Sequence, residues 1–463
     1  MHFYNIKGVQ ALVLSAGSLK VSWLLKRTPR LSLHKVSDPS DHFEKVRDSI
    51  KNREIGVYVH VPYCRSICMF CPYFRAVLRG SEEIEHYFKA LYREVELYGK
   101  LLSEKGLKIV EIHVGGGTPS LVPGKYYSTL LEKLSEFFDV KSGIGVEANP
   151  EDFKDRKVVE ELYASGVDEV SIGVQSFNQK VLKALGRKHT PKDNIAAIEN
   201  SVRTGFKWIN ADIMFLAPSI KNYVEVSDEE GLNTFTKDLE KSIDLGVHQV
   251  TYYPTIIPEH SPGYKLVELS RLLQNEDLVD AYVEKAVNFT KERGLSMVRV
   301  YSLSRKKYEY ATVNLEMVGP LIGFGAGAWS NTGYYQYVNV HNLPLYVRAV
   351  NEGRLPALYS RVLSESSRVW RLFFDQLSAC SLSREAYGFI GLRDIPWNIK
   401  ILLKLMSITG ITEKKGDNYV LTLKGIKEVY KSVVNYVTEI PVKATKVFED
   451  IRDPAKAPEV ITI

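Results

Sequence analysis

Short runs of β-branched and aromatic residues alternate with helix-periodic segments through the middle of this chain, and no other feature restricts its fold as much. The strand-like runs are 55–61, 109–114, 143–147, 168–174, 207–213, 247–253 and 296–300. Between them, 83–105, 123–137, 191–204, 230–245 and 276–291 carry helical periodicity. Repeated β-α units predict an α/β protein with a parallel sheet and right-handed crossovers. Six or seven units suffice for a closed or partly closed barrel. Periodicity leaves a doubly wound open sheet as the alternative.

The residues at the strand ends sharpen that choice. The first strand runs into a cysteine cluster, the second into Gly115-Gly116-Gly117-Thr118-Pro119, and the third into Glu147-Ala148-Asn149-Pro150. The fourth runs into Gln175-Ser176-Phe177, the fifth ends at Asp212, and the sixth at Tyr252-Tyr253-Pro254. All parallel strands end on one face, so glycine and polar punctuation at six successive ends describes the functional rim of a barrel. Ordinary βα loops would explain any two of them.

The flanks are less distinctive. Residues 1–54 read as a basic leader with one helix at 41–52. A barrel over 55–300 is followed by an extension with a glycine-rich segment over 301–364. From 365 to 440, helices and a strand-turn-strand at 410–423 resemble a small winged-helix-like module, with its last helix ending near 437. The tail from 441 reads as extended. That module lacks a dense basic patch, which disfavours nucleic acid as a partner. The best membrane candidate, 9–25, is interrupted by Lys20. A transmembrane segment is therefore not expected, and a cytoplasmic setting is. The excess of 61 Lys and Arg over 55 Asp and Glu suits anionic ligands.

Three of the four cysteines, Cys64, Cys68 and Cys71, lie within eight residues as C-x3-C-x2-C. Structural zinc takes four protein ligands. His60 could complete such a site, but on a strand it reads better as a local anchor. Cys380 reads as a small buried hydrophobe. A [4Fe–4S] cluster held by three thiolates keeps one iron open, and an open iron suits catalysis rather than plain electron transfer. S-adenosylmethionine (SAM) can chelate that iron and be cleaved to a 5′-deoxyadenosyl radical.

The cysteine motif followed by Gly-Gly-Gly-Thr-Pro resembles the radical SAM superfamily. Tyr58-Val59-His60-Val61-Pro62-Tyr63-Cys64, Glu147-Ala148-Asn149-Pro150 and Ser171-Ile172-Gly173-Val174-Gln175-Ser176-Phe177 resemble, more narrowly, the oxygen-independent coproporphyrinogen III oxidase-like family. Leu185-Gly186-Arg187-Lys188-His189 and the glycine run 323–328 extend the match over about 55–435. The resemblance implies a partial (βα)6 TIM-like barrel of the radical SAM type. It implies Cys64, Cys68 and Cys71 as cluster ligands, with Tyr58, Phe70, Gly116 and Glu147 around a first SAM. Gly117, Thr118, Gln175, Arg187 and Asp212 match positions near a second. It also implies an electron donor such as ferredoxin or flavodoxin and an anionic, tetrapyrrole-like substrate. The residues that act directly on that substrate are not identified.

The chain also departs from the family pattern. Pro254 and Trp329 stand where the oxidase has smaller or aliphatic residues, and 72–75 lack the oxidase's further cysteine. The haem-chaperone motif His-Asn-x-x-Tyr-Trp is replaced by Val-Asn-Leu-Glu-Met-Val at 313–318, while His341-Asn342 falls after the glycine run, at a helix start. Three activities stay open: hydrogen abstraction ending in oxidative decarboxylation, a two-SAM methyl transfer, and haem carriage.

Overall fold

The structure, a computed structural model, describes residues 31–220, 223–257, 261, 275–306, 315, 318–449 and 451–463. The apolar stretch 9–25 and most of 313–318 lie outside the described residues.

Six parallel strands form the centre: β1 (Glu54–Val61), β2 (Lys108–Gly116), β3 (Ile144–Ala148), β4 (Val167–Gln175), β5 (Trp208–Phe215) and β6 (Gln249–Pro254). They lie side by side in chain order, so the sheet is singly wound and a doubly wound order is ruled out. In β1, Ile55, Val57, Val59 and Val61 on one face and Gly56 and His60 on the other are buried, as expected of a strand covered on both faces. Helices Ser81–Leu102, Gly124–Ser135, Pro191–Thr204, Asp228–Asp244 and Glu276–Glu292 follow five of these strands. Local chemistry fixes several of their starts. Thr190 and Asp193 form a reciprocal capping box, and Ser227 and Asn275 cap their helices by accepting backbone N–H groups.

No described pairing closes the sheet into a ring. Beyond β6 lies Ser302–Ser304, antiparallel to it, and only then Ser296–Arg299. The seventh strand-like run is therefore not a seventh neighbour in the parallel series. Beyond β1 lies β7 (Leu321–Phe324), parallel to it, followed by an antiparallel series through Ala357–Val362. The strand Ser32–Lys35 continues this sheet and pairs with Val460–Thr462.

Two sequence expectations are corrected here. The fifth strand runs to Phe215 rather than ending at Asp212, because Ile213, Met214 and Phe215 continue the ladder opposite Tyr252, Tyr253 and Pro254. Asp212 accordingly sits inside the strand. The last helix spans Leu423–Glu449 instead of stopping near 437, and the extended tail does not begin at 441. Proline usually ends a helix, but burial of Ala444 and Phe448 holds the final turns in place.

The segment from 365 onward contains the helices Glu365–Ser378 and Trp397–Ile408 and a three-stranded sheet with the hairpin Thr412–Lys415 and Asn418–Leu421. Arg299, fully buried, ties the barrel side to it through Asp375 at 2.8 Å. Among the described residues, no helix is long and apolar enough to cross a membrane.

Candidate functional site

The register of the parallel sheet sets the strand ends that matter beside one another. His60 and Val61 lie opposite Gly115 and Gly116, and Glu147 lies opposite Ser171. The cysteine loop leaves β1 and is held at its base by backbone bonds. Thr118 N–H donates to the Tyr63 carbonyl at 2.7 Å, and Leu78 N–H donates to that of Cys64 at 2.9 Å. A Cβ on Gly117 would lie 2.6 Å from the Tyr63 carbonyl oxygen, so only glycine permits this approach. Gly116 has φ of +113°, and a Cβ there would strike the His60 ring.

Polar side chains encircle the loop. Thr118 donates to the Cys64 sulfur at 3.4 Å, and Arg187 donates to the Cys68 sulfur at 3.2 Å. Asn149 joins the two, donating to Thr118 at 3.2 Å and accepting from Arg187 at 2.8 Å. Asp152, almost fully buried, accepts from Arg65 of the loop at 2.7 Å and from Ser120 at the same distance. The chain Cys64–Thr118–Asn149–Arg187–Cys68 thus ties β2, β3 and the segment after β4 to two of the three thiols.

His60 donates from Nε2 to the Phe74 carbonyl and accepts at Nδ1 from the Tyr58 hydroxyl, each at 3.0 Å. Both ring nitrogens are occupied, which removes it as a zinc ligand and makes it an anchor for the loop's far end. Among the described residues, no three His, Cys, Asp or Glu side chains converge as a single metal ion requires.

Glu147 accepts from Gly116 N–H at 3.2 Å and lies 3.3 Å from His113 Nε2. Its side chain is 44% exposed, so an oxygen can still reach a ligand. Burial opposes its charge, yet His113 and the Gly116 N–H outweigh that and hold its pKa below the usual value. Asp212 accepts from Ser171 at 3.1 Å and from Asn210 at 2.9 Å. Burial first, and the Glu147 charge second, push its pKa up to about 7. Near neutral pH the site therefore offers one ionised carboxylate and one that readily keeps its proton. Such a pair can accept from a cationic amino group at one point and donate at another.

Gln175 ends β4 at φ of +63°, a left-handed conformation costly for a side chain with a Cβ, and accepts from Tyr253 at 3.0 Å. Phe70 packs on a small apolar cluster of Val181, Leu185 and Met214. Tyr58 stacks on His113 at 5.9 Å between ring centroids. Pro254 closes β6, and Trp329 stands edge-on to Phe448. Asn342 caps the helix Leu343–Asn351, with His341 just before it. In each of the adjacent tyrosine pairs 126–127, 252–253 and 334–335 one ring belongs to the core: Tyr127, Tyr252 and Tyr335 are buried.

The structure thus brings Thr118 and Arg187 directly onto the cysteines, where the sequence reading put them near a second SAM. Sequence reasoning assigned no role to Arg65, Ser120, Asn149 or Asp152. Arg65, Ser120 and Asn149 lie in or beside the motifs, whereas no motif includes Asp152.

The donor set suits an iron–sulfur cluster and SAM. All three loop cysteines are free of disulfides, and burial pushes the Cys64 thiol up and that of Cys71 up to about 11. Left alone, such thiols would keep their protons at neutral pH, whereas metal coordination requires thiolates. Sulfurs that accept from Thr118 and Arg187 but do not converge on one point match a cluster taking one thiolate per iron.

Residues 58–219 match the family described as the radical SAM superfamily. Over those residues the fold and the site agree with a radical SAM domain. The chain is 26% identical to a haem chaperone of Lactococcus lactis, over 68% of this chain and 79% of that one. It is 26% identical to an anaerobilin synthase of Escherichia coli O157:H7, over 71% and 72%. With an oxygen-independent coproporphyrinogen III oxidase of Paracoccus denitrificans the identity is 24%, over 76% and 78%. The solved structure of the Escherichia coli coproporphyrinogen III oxidase shares the fold, with a TM-score of 0.70 at 20% identity, over 87% of this chain and 95% of that chain. These relatives, a haem chaperone, an anaerobilin synthase and a coproporphyrinogen III oxidase, carry different activities, and this chain is similar to all three.

Proposed function

We propose that the protein abstracts hydrogen from an anionic, tetrapyrrole-like small molecule, in the manner of a coproporphyrinogen dehydrogenase. The observation that carries this reading is the hydrogen-bonded chain from Cys64 through Thr118, Asn149 and Arg187 to Cys68. It fixes the cysteine loop against the strand ends that carry Glu147 and Gln175. Cys64, Cys68 and Cys71 would hold a [4Fe–4S] cluster, and Tyr58, Phe70, Gly116 and Glu147 would face SAM. When bound, these groups supply an electron that splits the sulfonium bond and a radical that removes a hydrogen atom.

The chain's own residues position and protect. Arg187 donates to the Cys68 sulfur and to Asn149, which fixes that side of the loop against the sheet. Glu147, ionised and reachable, accepts from an amino or hydroxyl group of the cofactor. Asp212, with its proton available near neutral pH, can donate to a carboxylate or hydroxyl nearby. Tyr253 holds the Gln175 amide in place. The chain's positive balance suits a substrate bearing propionates, and an acidic one-electron carrier such as ferredoxin or flavodoxin would supply the reducing equivalent.

Product analysis tests the reaction type. With reduced, reconstituted protein and coproporphyrinogen III, the expected products are 5′-deoxyadenosine and carbon dioxide without S-adenosylhomocysteine. Both nucleoside products together, with the homocysteine product alone lost in Gln175→Ala, would replace this reading with methyl transfer. One tightly bound haem per chain without substrate turnover would replace it with haem carriage.

A further inference from the structure

The helix Trp397–Ile408 is apolar on two opposite sides. Its inner side buries Ile399, Leu403 and Met406. At 3.6 residues per turn, Trp397, Ile401 and Ile408 fall on one narrow stripe of the opposite side. They are 73%, 46% and 74% exposed, and Phe389, in the turn before the helix, is 73% exposed. Single exposed apolar residues are ordinary, but Trp397, Ile401 and Ile408 on one stripe form a patch that fits a partner.

Charge indicates which partner. Lys404 falls within the stripe, so a long aliphatic stem carries a positive end along the apolar surface, while Lys400 beside it is ion-paired with Asp394 at 2.5 Å. Residues 384–424 hold seven Lys and Arg against four Asp and Glu, an excess of three out of six for the whole chain. A second copy of the chain would set this net-positive segment against itself. Nucleic acid would meet the lysines but leave Trp397 and the isoleucines without a counterpart. An anionic lipid surface satisfies both parts, with aromatic and aliphatic groups at the headgroup boundary and lysines among the phosphates.

We infer that the segment around Trp397–Ile408 is a peripheral membrane-docking face selective for anionic lipid. The inference does not depend on the reaction proposed above. The first 37 residues add six Lys and Arg with no Asp or Glu, so every protein tested keeps them.

Co-sedimentation of the full chain with vesicles tests it. The protein should bind phosphatidylcholine–phosphatidylglycerol vesicles, bind phosphatidylcholine alone weakly, and dissociate at high salt. The Trp397→Ser/Ile401→Ser/Ile408→Ser protein should lose about tenfold or more in partitioning. Lys400→Glu/Lys404→Glu, which keeps the apolar stripe, should lose several-fold on the anionic vesicles only. Both variants change exposed side chains, and circular dichroism checks that they fold. Absent vesicle binding, or equal binding by all three proteins, would overturn the proposal. So would a wild-type dimer that the triple serine variant converts to monomer, which would assign the face to a second copy.

Discussion

Alanine at any one of Cys64, Cys68 or Cys71 is expected to abolish cluster assembly, whereas Cys380→Ala leaves it intact. Anaerobic reconstitution of the wild-type chain should give about four irons per chain, the content of a [4Fe–4S] centre. Each loop thiolate would hold a separate iron, so removing one opens a second corner and the cluster is lost rather than weakened. Thr118 and Arg187 cannot compensate, because they donate hydrogen bonds to sulfur and offer no thiolate of their own. Cys380 stands apart, in a left-handed turn after the helix Glu365–Ser378, with Ser378 and Tyr252 as neighbours. Iron analysis and visible absorption read the result directly. Full iron loading in the triple loop variant would remove the cysteine loop from the account.

The second large effect falls on stability. Arg299 is fully buried, and its Nη1 donates to the Asp375 carboxylate at 2.8 Å and to the Asp375 carbonyl at 3.3 Å. It joins the end of the β-α series to the helix Glu365–Ser378, where Val300 N–H also donates to the Ser378 carbonyl at 2.7 Å. Asp375→Ala removes the carboxylate but leaves the guanidinium in the interior. Breaking one side of a buried pair costs about 3–5 kcal/mol, because the remaining charge loses its counter-ion without regaining water. Asp375→Asn keeps an acceptor oxygen and should cost less. Urea unfolding followed by circular dichroism should rank the proteins wild type, Asn, Ala. A change below about 1 kcal/mol for the alanine variant would show that the pair is not a structural tie.

The central sheet was legible because each strand announced itself locally. Ile55 to Val61 alternates with periodic helices, and the glycine and polar residues gather at the ends of successive strands. What stayed hidden depends on pairing across the whole chain. Ser32 lies opposite Thr462, and no local pattern in either segment names the other. Pro441 reads as a helix end in sequence, whereas the burial of Ala444 and Phe448 that continues the helix past it is tertiary. Asp212 was placed at a strand end because a lone acid in an apolar run reads as a boundary, whereas here Ser171 and Asn210 satisfy it inside the ladder. The same limit applies to Asp152 and Arg65. They are 87 positions apart, and each looks like an ordinary surface charge until the fold brings them together. Gln175 adopts its left-handed backbone where β4 and β5 fall out of register, a strain that composition does not record.

The most direct test of the account is cleavage of SAM by the reduced, reconstituted protein with no substrate present. It isolates what the cysteine loop, the Gly115–Gly117 turn and Glu147 are proposed to do, independent of any choice among oxidase, methyltransferase and chaperone. The account predicts slow release of 5′-deoxyadenosine and methionine from the wild-type protein. It predicts none from the cluster-free Cys68→Ala protein. Glu147→Ala should release less at limiting SAM, because a hydrogen bond to a charged partner is worth about 1.5–3 kcal/mol. A wild-type protein with an intact, reduced cluster and bound SAM that releases no 5′-deoxyadenosine would contradict the account.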